Sequence, residues 1–279
     1  MGFERWARGP GRSPAQDEAG LTPWEFEPAL LADLRLGVAS QALDDGQPER
    51  ALVEAEQLLR RHPDDLQALG VVGRAAILVG DGDMAAAALS RVVGEDEANA
   101  DGWSLYSLAL TLGFRYEEGR LAALQAVELD PELAVAWHHL ALAQERLGEE
   151  LAARRSFRRA AALAPTVLPR PRVWSELTWA RCLEAARDKL PLSSRLFYQR
   201  VPVCWRDLPA VEDLPDGATG LSPFAGAYAS LPDDDGERLP ECIVLFRRNL
   251  ARGAADAPQL TERIFLALRT QAVGWMRGG

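Results

Sequence analysis

The stretch that decides the fold is WHHLALAQ (137–144), followed by AARRSFRRAAALAP (152–165). Moved back by 34 residues, it aligns with an earlier stretch that contains Trp103, and further shifts align two more. One column of this alignment holds tryptophans, two hold small residues, and the fourth lies near the end of each unit. These columns are Trp103 and Trp137; Ala39, Gly73, Ser107 and Ala141; Ala51, Ala85, Gly119 and Ala153; and Pro63, Glu97, Pro131 and Pro165. Small and large residues at fixed places are what closely packed antiparallel helices require.

A repeat of this length is typical of tetratricopeptide (TPR) hairpins. The units run over 32–65, 66–99, 100–133 and 134–167. The fourth resembles the family pattern W-x-x-L-G-x-x-Y…A…P at Trp137, Leu140, Ala141, Ala153, Phe157, Ala160 and Pro165. The resemblance implies an α-helical solenoid of about four hairpins. Its expected role is a scaffold that holds other proteins.

The bend inside each hairpin is marked by a second signal. Gly46, Gly80 and Gly148 recur at that place, and Phe114 occupies it in the third unit. A left-handed backbone conformation costs least at glycine, so we expect this conformation at the three glycines. The proline after the second helix ends that helix because its ring removes a backbone donor.

A partner is expected on the concave face, which the first helix of each hairpin lines. The register places these residues there: Asp33, Leu36, Ser40, Gln67, Arg74, Asp101, Ser104, Leu108, Thr111, His138, Leu142 and Glu145. Of these, we predict partner binding for Arg74, Asp101, Ser104, Leu108, Thr111, His138, Leu142 and Glu145. The set lacks the Lys/Asn/Arg combination with which chaperone-binding TPR proteins hold a C-terminal carboxylate. A mixed polar and aliphatic groove is suited to a peptide or protein partner.

Charge narrows the classes of partner. The chain has 279 residues and a formal net charge of −10. Residues 1–169 carry 16 basic and 27 acidic side chains, against 15 and 14 in the remainder. An acidic front part without a Lys/Arg cluster along one helix would repel a phosphate backbone and an anionic membrane, so nucleic acid is not an expected partner.

The expected location is the cytoplasm of a bacterium. The N-terminus lacks the continuous apolar run of a secretory signal, and no apolar stretch reaches the ~20 residues that cross a bilayer. Lys189 is the only lysine beside many arginines, a bias typical of a GC-rich bacterial genome. Cys182, Cys204 and Cys242 are widely spaced without a CxxC pair, so we expect neither disulfides nor a zinc knuckle.

The second region is predicted to be α+β, with a boundary near residue 170. The organisation is a flexible segment 1–31, helical repeats over 32–169 and a small domain over 170–279. An amphipathic helix is predicted over Val173–Leu190 and a last helix over Gln259–Met276, the latter with Leu260, Ile264, Leu268 and Ala272 at helical spacing. VPVCW (201–205) and ECIVLF (241–246) read as strands.

A second resemblance covers about 172–279. Its pieces are LP at 190–191, VPVCWRDLP, a Gly226-Ala227-Tyr228 turn, LPECIVLFRRNL and the last helix, in the order found in small bacterial zincin-like metallopeptidase domains. That family's last helix reads HE-hydrophobic-small-HH-x-G. Val273, Gly274 and Gly278 fit, but Gln271, Ala272 and Trp275 replace the first histidine, the glutamate and the second histidine. The resemblance therefore implies a pseudoenzyme without zinc, because the imidazoles and the general-base carboxylate are lost.

Three alternatives stay open. The likeness to zincins can be accidental, which leaves a plain α+β cap. The chain can be a zinc metallopeptidase whose ligands are not recognised, although its only histidines are His62, His138 and His139. It can also be a structural subunit of a larger assembly, held through Trp6 and Trp24. No phosphate loop or nucleophile elbow is present, so no catalytic residue, metal or cofactor is predicted.

Overall fold

A computed structural model describes residues 23–168, 170–209, 225–230 and 240–277. Its first eight helices form four antiparallel pairs that stack on one another. These are α1 (Pro23–Asp44), α2 (Pro48–Leu59), α3 (Leu66–Val79), α4 (Gly82–Glu95), α5 (Ala100–Leu112), α6 (Tyr116–Leu129), α7 (Ala134–Arg146) and α8 (Glu150–Leu163). The chain is thus a TPR-like helical repeat. Of the predicted flexible segment 1–31, residues 1–22 and Trp6 lie outside the described residues, and α1 begins at Pro23.

Small residues let the helices of each pair come close. Both small columns are buried, and a Cβ on Gly73 would come within 2.5 Å of Leu89 Cγ. A Cβ on Gly119 would likewise lie 2.8 Å from Thr111 Oγ1. The packing predicted for these columns is confirmed. Asp65 and Asn99, one repeat apart, cap α3 and α5 by accepting hydrogen bonds from the backbone N–H groups of the first turn.

The tryptophan column has the same contact in both units. Trp103 Nε1 donates to the carbonyl of Glu97 at 3.0 Å, and Trp137 Nε1 donates to the carbonyl of Pro131 at 2.9 Å. Each indole therefore ties the first helix of its hairpin to the residue that closes the preceding unit. This bond helps to fix the angle between successive hairpins, because it joins two units and not two helices of one unit.

The predicted left-handed bends are confirmed. Gly46, Gly80 and Gly148 have φ values of 69°, 85° and 75°, and Phe114 takes the same conformation at 60°. Phe114 is the only residue other than glycine with a positive φ in the described part of the chain. A side chain in that region is strained, so the third bend exists at a local cost that the surrounding packing offsets.

The second region is a small α+β unit with its own core. It contains α9 (Glu176–Asp188), α10 (Leu192–Arg200), β1 (Val203–Arg206), β2 (Ala227–Ser230), β3 (Cys242–Phe246), α11 (Arg247–Ala251) and α12 (Ala257–Arg277). The strand order is β1-β3-β2, with β1 parallel and β2 antiparallel to β3. The predicted spacing on α12 is confirmed, since Leu260, Ile264, Leu268 and Ala272 are all fully buried in this core.

Three details of this unit differ from the prediction. The prediction of a turn at Gly226-Ala227-Tyr228 is wrong, because Ala227–Ser230 is a strand that pairs with β3. The helix predicted over Val173–Leu190 begins later, after Ser175, whose side chain caps it by accepting from the Thr178 N–H. Helix α10 was not predicted; Phe197 and Tyr198 bury its inner face, and the Tyr198 hydroxyl donates to the Leu268 carbonyl at 2.8 Å.

Candidate functional site

The residues predicted to bind a partner divide into two groups. Asp101 is exposed, and Arg74, Leu108 and His138 are half-buried. The others lie inside the protein: Ser104 and Thr111 are 1% exposed, Leu142 5% and Glu145 8%. Whether the eight side chains bind a partner stays a prediction. In this structure, an open surface is offered by the first group alone.

Ser104 is buried because the next first helix packs over it. Nδ1 of His139, on α7, lies 2.9 Å from both the hydroxyl oxygen and the carbonyl oxygen of Ser104. Burial lowers the pKa of His139 to about 4, although the hydrogen bond to Ser104 opposes this shift. Burial, with the nearby His139 and Arg252, also lowers the pKa of His138 to about 4. Both imidazoles are therefore neutral near neutral pH and act as packed polar groups.

Glu145 is buried because arginines of the second unit bind it. Its carboxylate contacts Nη2 of Arg252 at 2.5 Å, Nη1 of Arg146 at 3.1 Å and Nη1 of Arg248 at 3.7 Å. We call these four residues the Glu145 cluster. Burial lowers the pKa of Arg146 to about 10, with a further contribution from Arg252, while Glu145 opposes the shift. The acidic residue predicted to contact a partner on the concave face is thus engaged by the chain itself.

Helix α11 makes further contacts between the second unit and the end of the repeat. Nη2 of Arg146 donates to Oδ1 of Asn249 at 2.9 Å, and Asn249 in turn donates to the carbonyl of Ala225 at 2.7 Å. Arg263 on α12 braces α11 from behind by donating to the Leu250 carbonyl at 2.9 Å. The sequence RRNLAR (247–252) therefore forms a short, braced segment that docks onto the end of the repeat.

A cleft of about 720 Å³ lies between α8, the extended segment 170–174 and α11. We call it the arginine cleft. Its basic lining is Arg154, Arg155, Arg158, Arg170, Arg172, Arg247, Arg248 and Arg252. Its acidic lining is Glu145, Glu150, Glu176 and Asp207. In a chain of net charge −10, this is a local excess of positive charge.

The acidic groups of the cleft are paired with its own arginines. Arg248 contacts Glu150 at 2.5 Å and Asp207 at 3.5 Å, and Arg247 binds Glu176 in a bidentate fashion at 2.5 and 2.7 Å. Arg154 lies 3.5 Å from Glu150. Within the described ranges, no carboxylate pairs with the four exposed guanidinium groups of the remaining lining, at Arg155, Arg158, Arg170 and Arg172.

Two tryptophans, Trp174 and Trp179, line the cleft, and Trp205 lies behind Trp179 in contact with Arg247. The Arg247 guanidinium lies over the Trp205 and Trp179 rings at 5.4 and 6.0 Å, and these two rings meet edge to face at 5.2 Å. Arg172 lies over the Trp174 ring at 5.9 Å. Nε1 of Trp174 is buried and has no hydrogen-bond partner among the residues that the structure describes. A buried N–H without a partner is uncommon in folded proteins.

Sequence reasoning missed this cleft, although one signal was visible. The prediction that no Lys/Arg cluster lies along one helix of the front part is wrong, because α8 carries Arg154, Arg155, Arg158 and Arg159. The runs RRSFRR (154–159), RPR (170–172) and RRNLAR (247–252) hold most of the basic lining. Their convergence depends on the docking of the two units, which none of these runs shows by itself.

The residues at the degenerate zincin positions lie on α12 beneath the sheet. Gln271 Nε2 donates to the Ala227 carbonyl of β2 at 3.2 Å, Ala272 is fully buried, and Trp275 packs against the core of the second unit. Gly278 lies outside the described residues. An amide, a methyl and an indole do not fit a zinc ion, which needs imidazole or thiolate ligands here. Over the described ranges, no group of three or more His, Cys, Asp or Glu side chains could hold a metal ion.

No protein-family model matches the chain, and no curated protein matches it. A crystal structure of MamA is similar over 46% of this chain and 75% of that chain, at 19% identity and a TM-score of 0.42. The crystal structure of TTC0263, a thermophilic TPR protein of Thermus thermophilus, is similar over 48% and 75%, at 23% identity and a TM-score of 0.44.

The assignment of a TPR-like repeat rests on the hairpins, their left-handed bends and the repeated indole contacts described above. None of the helices that the structure describes combines the length and the apolar character needed to cross a membrane.

Proposed function

We propose that this chain is a non-enzymatic protein–protein interaction scaffold of the bacterial cytoplasm, whose helical repeat holds a peptide or protein partner. The observation that supports this function is a strip of exposed and half-buried side chains on α3 and α5. Gln67, Arg74 and Leu78 follow one another on one face of α3, and Asp101 begins the corresponding face of α5. Leu78 is 61% exposed, an unusual position for a leucine of a repeat core.

Ion pairs within the described part of the chain do not explain why the charged residues Arg74 and Asp101 lie on this strip. Among the described residues, Arg74 and Asp101 form no ion pair, whereas several other charges on the surface of the repeat do. Their neighbours in the repeat columns, such as Gly73, are buried between helices. Charged side chains without ion pairs, next to an exposed aliphatic side chain on one face of a solenoid, are typical of a protein-binding surface.

The experiment compares two double charge reversals in the full chain. R74E/D101R changes the proposed face, and R61E/E128R makes the same pair of reversals at exposed positions outside that face. Each protein captures partners from a bacterial lysate, and quantitative mass spectrometry compares the captured sets. We expect the R74E/D101R protein to lose partners that the wild type and R61E/E128R retain. Identical sets for all three proteins would count against the face as a binding surface.

We further propose that the α+β unit is an inactive relative of the zincin-like metallopeptidases, used as a docking surface or a rigid cap. The packing of α12 supports this proposal. At the positions where the metallopeptidase family has its histidines and glutamate, Ala272 and Trp275 pack in the core and Gln271 donates a hydrogen bond to β2. Elemental analysis of the purified protein tests the idea. Near-stoichiometric zinc, or peptide cleavage that a chelator abolishes, would favour an active metallopeptidase in its place.

A further inference from the structure

The arginine cleft holds more positive charge than its own acids can balance. Among the described residues, its lining has eight arginines and four carboxylates, and every one of those carboxylates contacts an arginine. Arg155 and Arg158 lie on α8, about one turn apart, and Arg170 and Arg172 lie on the extended segment that also lines the cleft. Four exposed guanidinium groups therefore face a cleft whose carboxylates are already engaged in ion pairs.

The extended segment adds a second kind of unused group. Residues 170–174 form neither helix nor strand, and their backbone makes no hydrogen bond to the backbone of any described residue. Arg170, Arg172 and Trp174 alternate along it, as side chains do on one face of an extended chain. This wall therefore offers the guanidinium groups of Arg170 and Arg172 together with backbone N–H and carbonyl groups that have no backbone partner among the described residues.

Apolar surface separates these donors. Leu151 and the Trp174 ring lie among the arginines in the lining, and Leu151 is 73% exposed. A small inorganic anion would leave these groups in water. A long polyanion such as nucleic acid would meet the acidic remainder of the repeat, where residues 1–169 carry 27 acidic side chains. A peptide that alternates carboxylates with apolar residues satisfies both kinds of surface.

We propose that the arginine cleft binds an extended acidic segment of a partner protein. Glutamate or aspartate side chains pair with Arg155, Arg158 and Arg172, and an apolar side chain packs on the Trp174 ring. The backbone of the segment lies along residues 170–174 as an added strand would, with its carbonyl groups accepting from that wall. This inference rests on the proposed scaffold function, and it assigns that scaffold a second surface and a partner chemistry.

The test uses the full chain and a defined probe. The probe is a fluorescein-labelled peptide of about ten residues that alternates glutamate with leucine, read by fluorescence anisotropy. R155E/R172E is the test variant, because both arginines are exposed and neither pairs with a carboxylate of the described residues, so the change breaks no ion pair of the described structure and removes only the contact of Arg172 with the Trp174 ring. R61E/R200E is the matched control, with the same change of charge at exposed sites away from the cleft. Thermal unfolding of all three proteins checks the fold.

We expect the wild type and R61E/R200E to bind the probe alike, and R155E/R172E to bind at least about ten-fold more weakly. Binding should weaken with added salt, since the contacts are exposed. Three results would each overturn the proposal: no binding by the wild type, equal binding by R155E/R172E, or competition by inorganic phosphate or single-stranded DNA as strong as that by unlabelled peptide.

The two proposals can fail separately. If R155E/R172E still captures the partners that R74E/D101R loses, and the probe does not bind, the scaffold stands and the cleft inference falls. If the probe binds as expected while R74E/D101R changes no partner, the cleft stands and the face on α3 and α5 is not the binding surface.

Discussion

Replacing Glu145 by glutamine tests the junction between the repeat and the second unit. E145Q keeps the size of the side chain and one acceptor oxygen but removes the only negative charge of the Glu145 cluster. Arg146, Arg248 and Arg252 then surround a neutral amide, whose NH2 group must face guanidinium donors. The carboxylate contacts all three within 4 Å, and the side chains of Glu145 and Arg146 are 8% and 1% exposed.

The expected loss is large because the Arg146 side chain is only 1% exposed, so its charge cannot reach water. Removing one partner of a buried ion pair typically costs about 3–5 kcal/mol, and Arg252 and Arg248 are partly exposed, so we expect a loss at the lower end, about 3 kcal/mol. The measurement is urea unfolding, followed by far-UV circular dichroism and by tryptophan emission. For a chain of this size, the change corresponds to a fall in the urea midpoint of about 1 M.

E150Q is the matched control. Glu150 also binds Arg248, at 2.5 Å, but its side chain is 49% exposed, so water replaces the lost contact and the midpoint should change little. Adding R252Q to E145Q removes one of the three positive charges around the amide and should recover part of the loss. Equal midpoints for E145Q and E150Q, or no recovery in the double variant, would refute the view that a buried charge cluster joins the two units.

Three further predictions follow from the packing. G73A should destabilise the repeat by about 1–3 kcal/mol, because the new Cβ would lie 2.5 Å from Leu89 Cγ. G70A on the same helix should stabilise the repeat by up to about 1 kcal/mol, because its Cβ would have no atom within 4 Å. Thermal unfolding measures both changes. The pKa of His138 and of His139 falls to about 4 on folding, so the unfolded chain binds more protons between about pH 6.5 and 4, and stability should decrease as the pH falls through that window. Each imidazole contributes about 2 kcal/mol of this loss near pH 5, and an H138Q/H139N variant should show a flatter dependence of the urea midpoint on pH. Y198F should lose about 1 kcal/mol, because the Leu268 carbonyl loses its buried hydroxyl donor; an unchanged midpoint would contradict that contact.

The repeat was predictable because its determinants are local and recur. Helix pairing follows from small residues such as Ala39 and Ala141 at fixed positions, and the bends follow from glycine and from Phe114 at one place in each unit. The last helix was predictable for the same reason, since Leu260 and Ile264 mark its inner face at helical spacing. In each case, the residues that determine an element lie within that element or one repeat away.

The parts that were missed depend on distant contacts. Strand β2 has the sequence AYAS, and its strand conformation comes from pairing with β3, which follows later in the chain. Glu145 carries the pattern of an open concave residue, yet Arg248 and Arg252, more than a hundred residues away in sequence, bury it. Spacing within the repeat contains no information about that contact, so a register argument places Glu145 on a free surface.

The Glu145 cluster and the arginine cleft are physically connected, because Arg248 belongs to both. By pairing with Glu145 and Glu150, the arginines of α11 and the residue after it cancel the acidity at the end of the repeat. The guanidinium groups of Arg155 and Arg158 on α8 are then left without competing carboxylates beside them. The preference of the cleft for an acidic ligand is therefore a property of the two units docked together. E145Q weakens this docking, so it should also weaken binding of the acidic probe. R155E/R172E, in contrast, should leave the urea midpoint unchanged.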